Sequence, residues 1–372
     1  MARKDLGGKR ENDEMNLLLS PSRGIQDDDP DSLKNPHVQE RFRDHITEKL
    51  KKWSQTHSVA SRSVDQKGRD EELGIILLDL RKLREGITSI RRIDMFACEV
   101  YQASVLLSLV ASNQAQLSSS LPHLVTVLHP ALAAQKEDDV SSSLAALSIS
   151  SRTSSSPPRP TPATRSFYLV LHLLHSHLLP AFASSTALSN VPLSTFFPAL
   201  HSLLSANSLP LPPSNRQQTS FGSCSDPYLS FLLNLHQAFL QSSFSSISTL
   251  LSTLPSPPSQ ISEHLETLLS RSIPNPLALL LQDSIPILRE QYWKVIEKTY
   301  KFPPDGFEWL SKWLLFEFQA RLERDLEGSK GAQTEVAESW DENDEGNEED
   351  DWVEKEAKRR TVIFVKGRKG LV

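Results

Sequence analysis

Apolar residues recur along most of this chain at intervals of three and four, the spacing that gathers them on one face of a helix. Asn35-Pro36 reads as an N-cap followed by proline at the first helical position. Val38, Phe42, Ile46, Leu50 and Trp53 then form the stripe of an amphipathic helix over 35–56, with Arg41, Arg43, Lys49, Lys51 and Lys52 off the stripe. Leu73, Ile76, Leu77, Leu80, Leu83 and Ile87 make the face of a second helix, which Gly86 is expected to end or kink. The register continues through 91–111 on Phe96, Ala97, Val100, Tyr101, Ser104 and Leu107, and through 117–134, where Pro122 and Pro130 predict a bend. Further helices are expected at 164–183, 192–206, 228–241 behind an Asp226-Pro227 cap, 244–254 and 258–272. The stretch 284–300 carries Leu288, Tyr292, Val295, Ile296 and Tyr300 on one face. Asp305 and Glu308 are spaced as a capping box for one more helix, which bears Phe307, Leu310, Leu314, Leu315 and Phe318 and stops at Gly328. Only 361–366 reads as a strand.

Polar segments separate these helices. Residues 1–34 read as disordered, and 135–163 and 207–225 as disordered Ser/Pro-rich loops; the run Ser154-Ser155-Ser156-Pro157-Pro158-Arg159-Pro160 is incompatible with helix. Composition agrees. The 372 residues include 56 Leu and 52 Ser, but only 13 Gly against 24 Pro, which disfavours sheets turned by tight hairpins. The expectation is an all-α protein: irregular stacked helix pairs, a solenoid-like array over 71–300, without a fixed sequence period.

Charge changes the picture. Residues 334–357 hold 12 acidic and one basic residue, so the total of −6 is one acidic run set against a mildly basic body. Two cysteines, Cys98 and Cys224, are too few for a disulfide scaffold, and Cys98 reads as a buried thiol. No apolar run of about 18 residues occurs, so no membrane span and no signal peptide are expected, and the location is cytoplasmic, nuclear or both.

Candidate chemistry is sparse. His172, His175 and His177 lack a nearby carboxylate or Cys and read as helix-lining histidines, not a metal site. No phosphate-cradling glycine loop, nucleophile elbow or Cys-x-x-Cys pair appears, so no catalytic residue, cofactor or small-molecule substrate is expected. Arg81, Lys82, Arg84, Arg91 and Arg92, and near the end Arg359 and Arg360, are candidates for contact with RNA. Trp340 and Trp352, within the acidic run, are candidates for docking on a partner protein.

The stretch LREQYWKVIEKTYKFPPDGFEWLSKWLLFE resembles the end of the helical array in the PCI-like superfamily. More narrowly it resembles the family that joins the small COP9-signalosome subunit, a small proteasome-lid subunit and the k subunit of translation initiation factor three. Arg289, Trp293, Ile296 and Tyr300 fit the family's pattern for the last array helix. Trp309, Leu310, Leu314 and Phe316 fit the helix that opens its winged-helix module. The resemblance implies a degenerate winged-helix-like end over 301–372, interrupted by the acidic insertion. It also implies a non-catalytic scaffold subunit that binds other subunits of a multiprotein complex, with Trp293, Tyr300, Trp309, Trp313 and Phe316 as contact residues. A related mRNA-export scaffold family has the same ending, and an RNA-associated adaptor is the alternative expectation.

Overall fold

The computed structural model describes residues 15, 18, 32–56, 66–135, 159–180, 193–209, 225–241, 243–261, 263, 274–282, 284–299, 310–312, 314–328 and 360. The expected strand at 361–366, the capping box and the acidic run lie outside these residues. The described chain is mostly helical, and no strand occurs in it. Its helices include α1 Pro36–Thr56, α2 Gln66–Ser89, α3 Met95–Val110, α4 Gln114–His123, α5 Pro162–Leu173, α6 Leu193–Ala206, α7 Pro227–Leu240, α8 Phe244–Ser252, α9 Pro276–Gln282, α10 Ile285–Thr299 and α11 Phe316–Gly328.

Starts follow cap chemistry. The Asn35 and Asp226 carboxyl or amide oxygens accept backbone N–H groups of the first turn, from His37 at 3.0 Å and from Tyr228 and Leu229 at 2.9 and 3.2 Å. Thr161 does the same for Thr164, ahead of Pro162. Three helix ends close without glycine. Arg91, Ser112 and Ser208 each take a left-handed φ near +50°. The residue after each one donates back to the closing turn: Arg92 to the Ile87 carbonyl, Asn113 to Ser108 and Leu209 to Leu204.

Gly86 does not end α2; the helix runs on to Ser89. Its missing side chain serves packing instead. A Cβ at Gly86 would lie 2.5 Å from the Leu33 carbonyl oxygen. That oxygen accepts a 2.8 Å bond from the fully buried Gln39 side chain, and Leu33 itself is buried.

Two proline-containing segments share one local device. The Leu124–Leu128 and Leu174–Leu178 turns are widened to π geometry, with the His129 and Leu179 N–H groups reaching back to the Leu124 and Leu174 carbonyls. Each is followed by a proline, Pro130 or Pro180, whose ring would crowd the carbonyl four residues earlier in a regular helix. The residue at that position, Thr126 or Ser176, turns its hydroxyl onto the carbonyl one turn back, that of Pro122 or His172.

The chain forms two compact units. The first comprises the described residues among Met1–Arg165, Leu203–Leu209 and Ser259–Arg271. In it α1 packs on α2, α2 on α3 and α3 on α4, each with the next in sequence. The α1 stripe Val38, Phe42, Ile46, Leu50 and Trp53 is buried. So is Asp79, which receives Lys49 at 2.7 Å and Lys82 at 3.1 Å. Cys98 is buried, and burial pushes its thiol up to about 12.

The second unit comprises the described residues among Ser166–Ser202, Pro210–Pro258 and Ser272–Val372. Here α7 packs on α8, and α8 on α11. Aromatic rings mark its interior: Phe167 meets Tyr228 edge-on, Phe196 stacks on His236 at 4.3 Å, and Phe244 lies 3.9 Å from Tyr292.

Candidate functional site

Arg289, Leu314 and Phe316, three of the residues that carry the C-terminal resemblance, come together within the second unit. The expected single helix from Phe307 to Gly328 is broken. Residues 310–312 are helical, Leu314 and Leu315 form a turn, and α11 starts afresh at Phe316. Leu315 has φ of 60°, a left-handed conformation that disfavours a residue with a Cβ. A break of this kind leaves carbonyls short of helical partners, and two side chains reach them, although the Lys312 carbonyl also accepts the Leu315 N–H at 3.2 Å. Arg289, on α10, donates from Nε to the Leu314 carbonyl at 2.8 Å, and Ser248, on α8, donates to the Lys312 carbonyl at 3.0 Å.

Arg289 does more than fill one acceptor. Its Nη2 donates to Gln319 Oε1 at 2.7 Å, and its guanidinium lies over the Phe316 ring, 3.8 Å from the centroid. Burial, aided by the nearby Arg360, lowers its pKa to about 10, which leaves it charged at neutral pH. Arg360 pairs with Glu323 at 2.7 Å, and Gln319 donates to the same Glu323 side chain. Trp293 and Phe316 are only 6% and 5% exposed, and Ile296, Leu310 and Leu314 are buried too. As packed here, Trp293 and Phe316 belong to the interior of the unit. Tyr300, Trp309, Trp313, Trp340, Trp352 and Arg359 lie outside the described residues.

The basic candidates of the first unit sit in different surroundings. Arg92 bonds Asp94 at 2.7 Å, Gln39 at 3.0 Å and Glu40 at 3.3 Å, and stacks on Phe96. Lys82 is committed to Asp79, and Arg81 to Glu85 at 2.9 Å. Arg91 is exposed at the left-handed closing position of α2.

Arg84 is different: it is 5% exposed and reaches from α2 to α4. It donates to Gln116 Oε1 at 2.6 Å and to Ser119 Oγ at 3.2 Å, and lies 5.6 Å from the Tyr101 ring centroid. Burial is the main cause that lowers its pKa, with Tyr101 opposing. Thr88 and Tyr101 share a 2.9 Å hydroxyl contact beside it. These groups line a cleft of about 700 Å³, with Lys34, Arg81, Glu85 and Ser89 completing the walls. Periodicity alone marks Arg84 as an off-stripe surface cation; only the arrival of α4 buries it.

Among the described residues no group of three or more His, Cys, Asp or Glu is placed to hold a metal, and no helix is long and apolar enough to cross a membrane. His172 is largely buried, and burial first, then His177 and His175, lower it to about 4. No protein-family model, curated protein or solved structure matches the chain.

Proposed function

We propose that this chain is a non-catalytic scaffold subunit of a multiprotein complex, of the kind built by PCI-like helical subunits of the COP9 signalosome, the proteasome lid or initiation factor three. The observation that carries the reading is the Arg289 clamp. Arg289, Leu314 and Phe316, three residues that bear the resemblance, are joined directly at the break before α11, and Trp293, Ile296 and Leu310 are buried in the same unit. A helix pair locked by a buried, charged clamp is a rigid element, and rigid elements hold partners with little loss of conformational freedom. The test is purification of the full-length tagged chain from its native cells. Recovery of a fixed set of partner proteins in stoichiometric amount supports the reading; recovery of the chain alone overturns it.

A further inference from the structure

The cleft walled by α2, α3 and α4 has one feature that packing does not account for. Arg84 is a buried cation, yet among the described residues no carboxylate lies within ion-pair distance of it; its hydrogen-bond partners, Gln116 and Ser119, are neutral. Its Nε has no hydrogen-bond partner at all. A buried charge without a counter-charge is unfavourable unless something supplies one. Close to Arg84 the cleft offers only Glu85, whose carboxylate is bonded to Arg81 at 2.9 Å.

The remaining walls suit an anion with an organic body. The Gln116 carbonyl is used by Arg84, which leaves the amide nitrogen of that side chain as a donor. The Tyr101 ring and Ala115 supply apolar surface. The hydroxyls of Thr88, Ser89 and Ser119 donate into their own helix, to the Arg84, Gly86 and Gln116 carbonyls. Recognition therefore rests on cations and one amide. A volume of about 700 Å³ far exceeds a bare oxyanion.

We propose that this cleft is a binding site for a phosphate monoester, with the dianionic phosphate set against Arg84 and Arg81 and its organic group against Tyr101. A phosphate dianion offers three acceptor oxygens to the arginine forks where a carboxylate offers two, and arginine forks suit its geometry. The ester comes either from a phosphorylated side chain of a partner or from a small molecule, and the test separates them.

Phenyl phosphate, benzoate, a phosphoserine peptide and its unphosphorylated form are titrated into the full-length chain at low salt by calorimetry. Saturable binding of phenyl phosphate is expected, at least tenfold tighter than benzoate. Arg81→Gln, at the exposed rim, is expected to weaken it about fivefold with the fold intact. Arg84→Lys keeps the charge and removes the fork, and is expected to weaken it more than tenfold in protein whose circular dichroism is unchanged. If Arg84→Lys fails to fold, Arg81→Gln carries the test. Tighter binding of the phosphopeptide than of phenyl phosphate assigns the site to a modified partner; the reverse order assigns it to a small molecule. Absence of saturable phosphate binding, equal binding of benzoate, or an unchanged Arg81→Gln would overturn the proposal.

Discussion

The Nε of Arg289 lies 2.8 Å from the carbonyl oxygen of Leu314, the acceptor exposed where the chain breaks before α11. The guanidinium thereby supplies the bond that a continuous helix would have made, while its face covers Phe316 and its far nitrogen holds Gln319. One side chain satisfies the break and fixes the direction of the helix that follows.

Arg289→Lys tests this clamp. A lysine ammonium can meet one acceptor but not two in a fork, and it stacks less well on the ring. A loss of about 1–3 kcal/mol is expected, since a buried acceptor is left unbonded. Urea unfolding followed by tryptophan fluorescence measures it; a change within about 0.5 kcal/mol, the scatter of neutral surface substitutions, would count against the clamp.

Gly86→Ala separates packing from propensity. In an ordinary helix interior the alanine would be favoured by about 1 kcal/mol. Here its Cβ would sit 2.5 Å from the Leu33 carbonyl oxygen, so the segment around Leu33 must shift and the Gln39 bond must yield. Net destabilisation of about 1–3 kcal/mol is expected. A stabilised variant in thermal denaturation would contradict the close approach.

Asp79→Ala is expected to cost more than Lys49→Met. The aspartate is buried and receives both Lys49 and Lys82, so removing it strands two cations, whereas removing Lys49 leaves the Lys82 pair in place. Both lysines keep a quarter or more of their side chains exposed and can turn to water, which limits the Asp79→Ala loss to about 1–2 kcal/mol. A double-mutant cycle of the two positions provides the check, and a coupling indistinguishable from zero would refute the pairing.

His129 sets a pH dependence. It is fully buried, and burial first, then Arg165, lower its pKa from 6.5 to about 3. The folded state therefore keeps it neutral where the unfolded chain protonates it. Its contribution is fully present above pH 6.5 and is lost as pH falls from there toward 3, about 2 kcal/mol by pH 5. His172, lowered to about 4, acts in the same direction. Urea midpoints at pH 7.5 and 5 should converge for His129→Phe relative to the parent chain; an equal acid slope in both proteins would show that His129 is not the source.

Much of the helical order is legible in the sequence because it rests on local rules. The α1 stripe, the Asn35-Pro36 and Asp226-Pro227 caps and the bounds of α7 and α10 follow from periodicity and from side chains that reach their own backbone. What escapes depends on residues distant in sequence. Gly86 reads as a stop because glycine is tolerant at helix ends, but Leu33, more than fifty residues away, gives it a different task. The break at Leu315 is hidden because Leu310, Leu314 and Phe318 keep helical spacing across it; Arg289 and Ser248, which bond the interrupted form, arrive from other helices. The π turns are half legible: Pro130 predicts a bend, but the widened turn and its hydroxyl back-bond are not implied by spacing. Arg84 looks like its neighbours Arg81 and Lys82 until α4 covers it.

Light scattering on the eluate of the full-length tagged chain, purified from its native cells at physiological salt, weighs the proposed assembly. The expected result is a discrete particle several times heavier than the 41.7 kDa chain, with partner proteins in fixed ratio to it. A homogeneous particle of about 41.7 kDa, free of partners, would contradict the account.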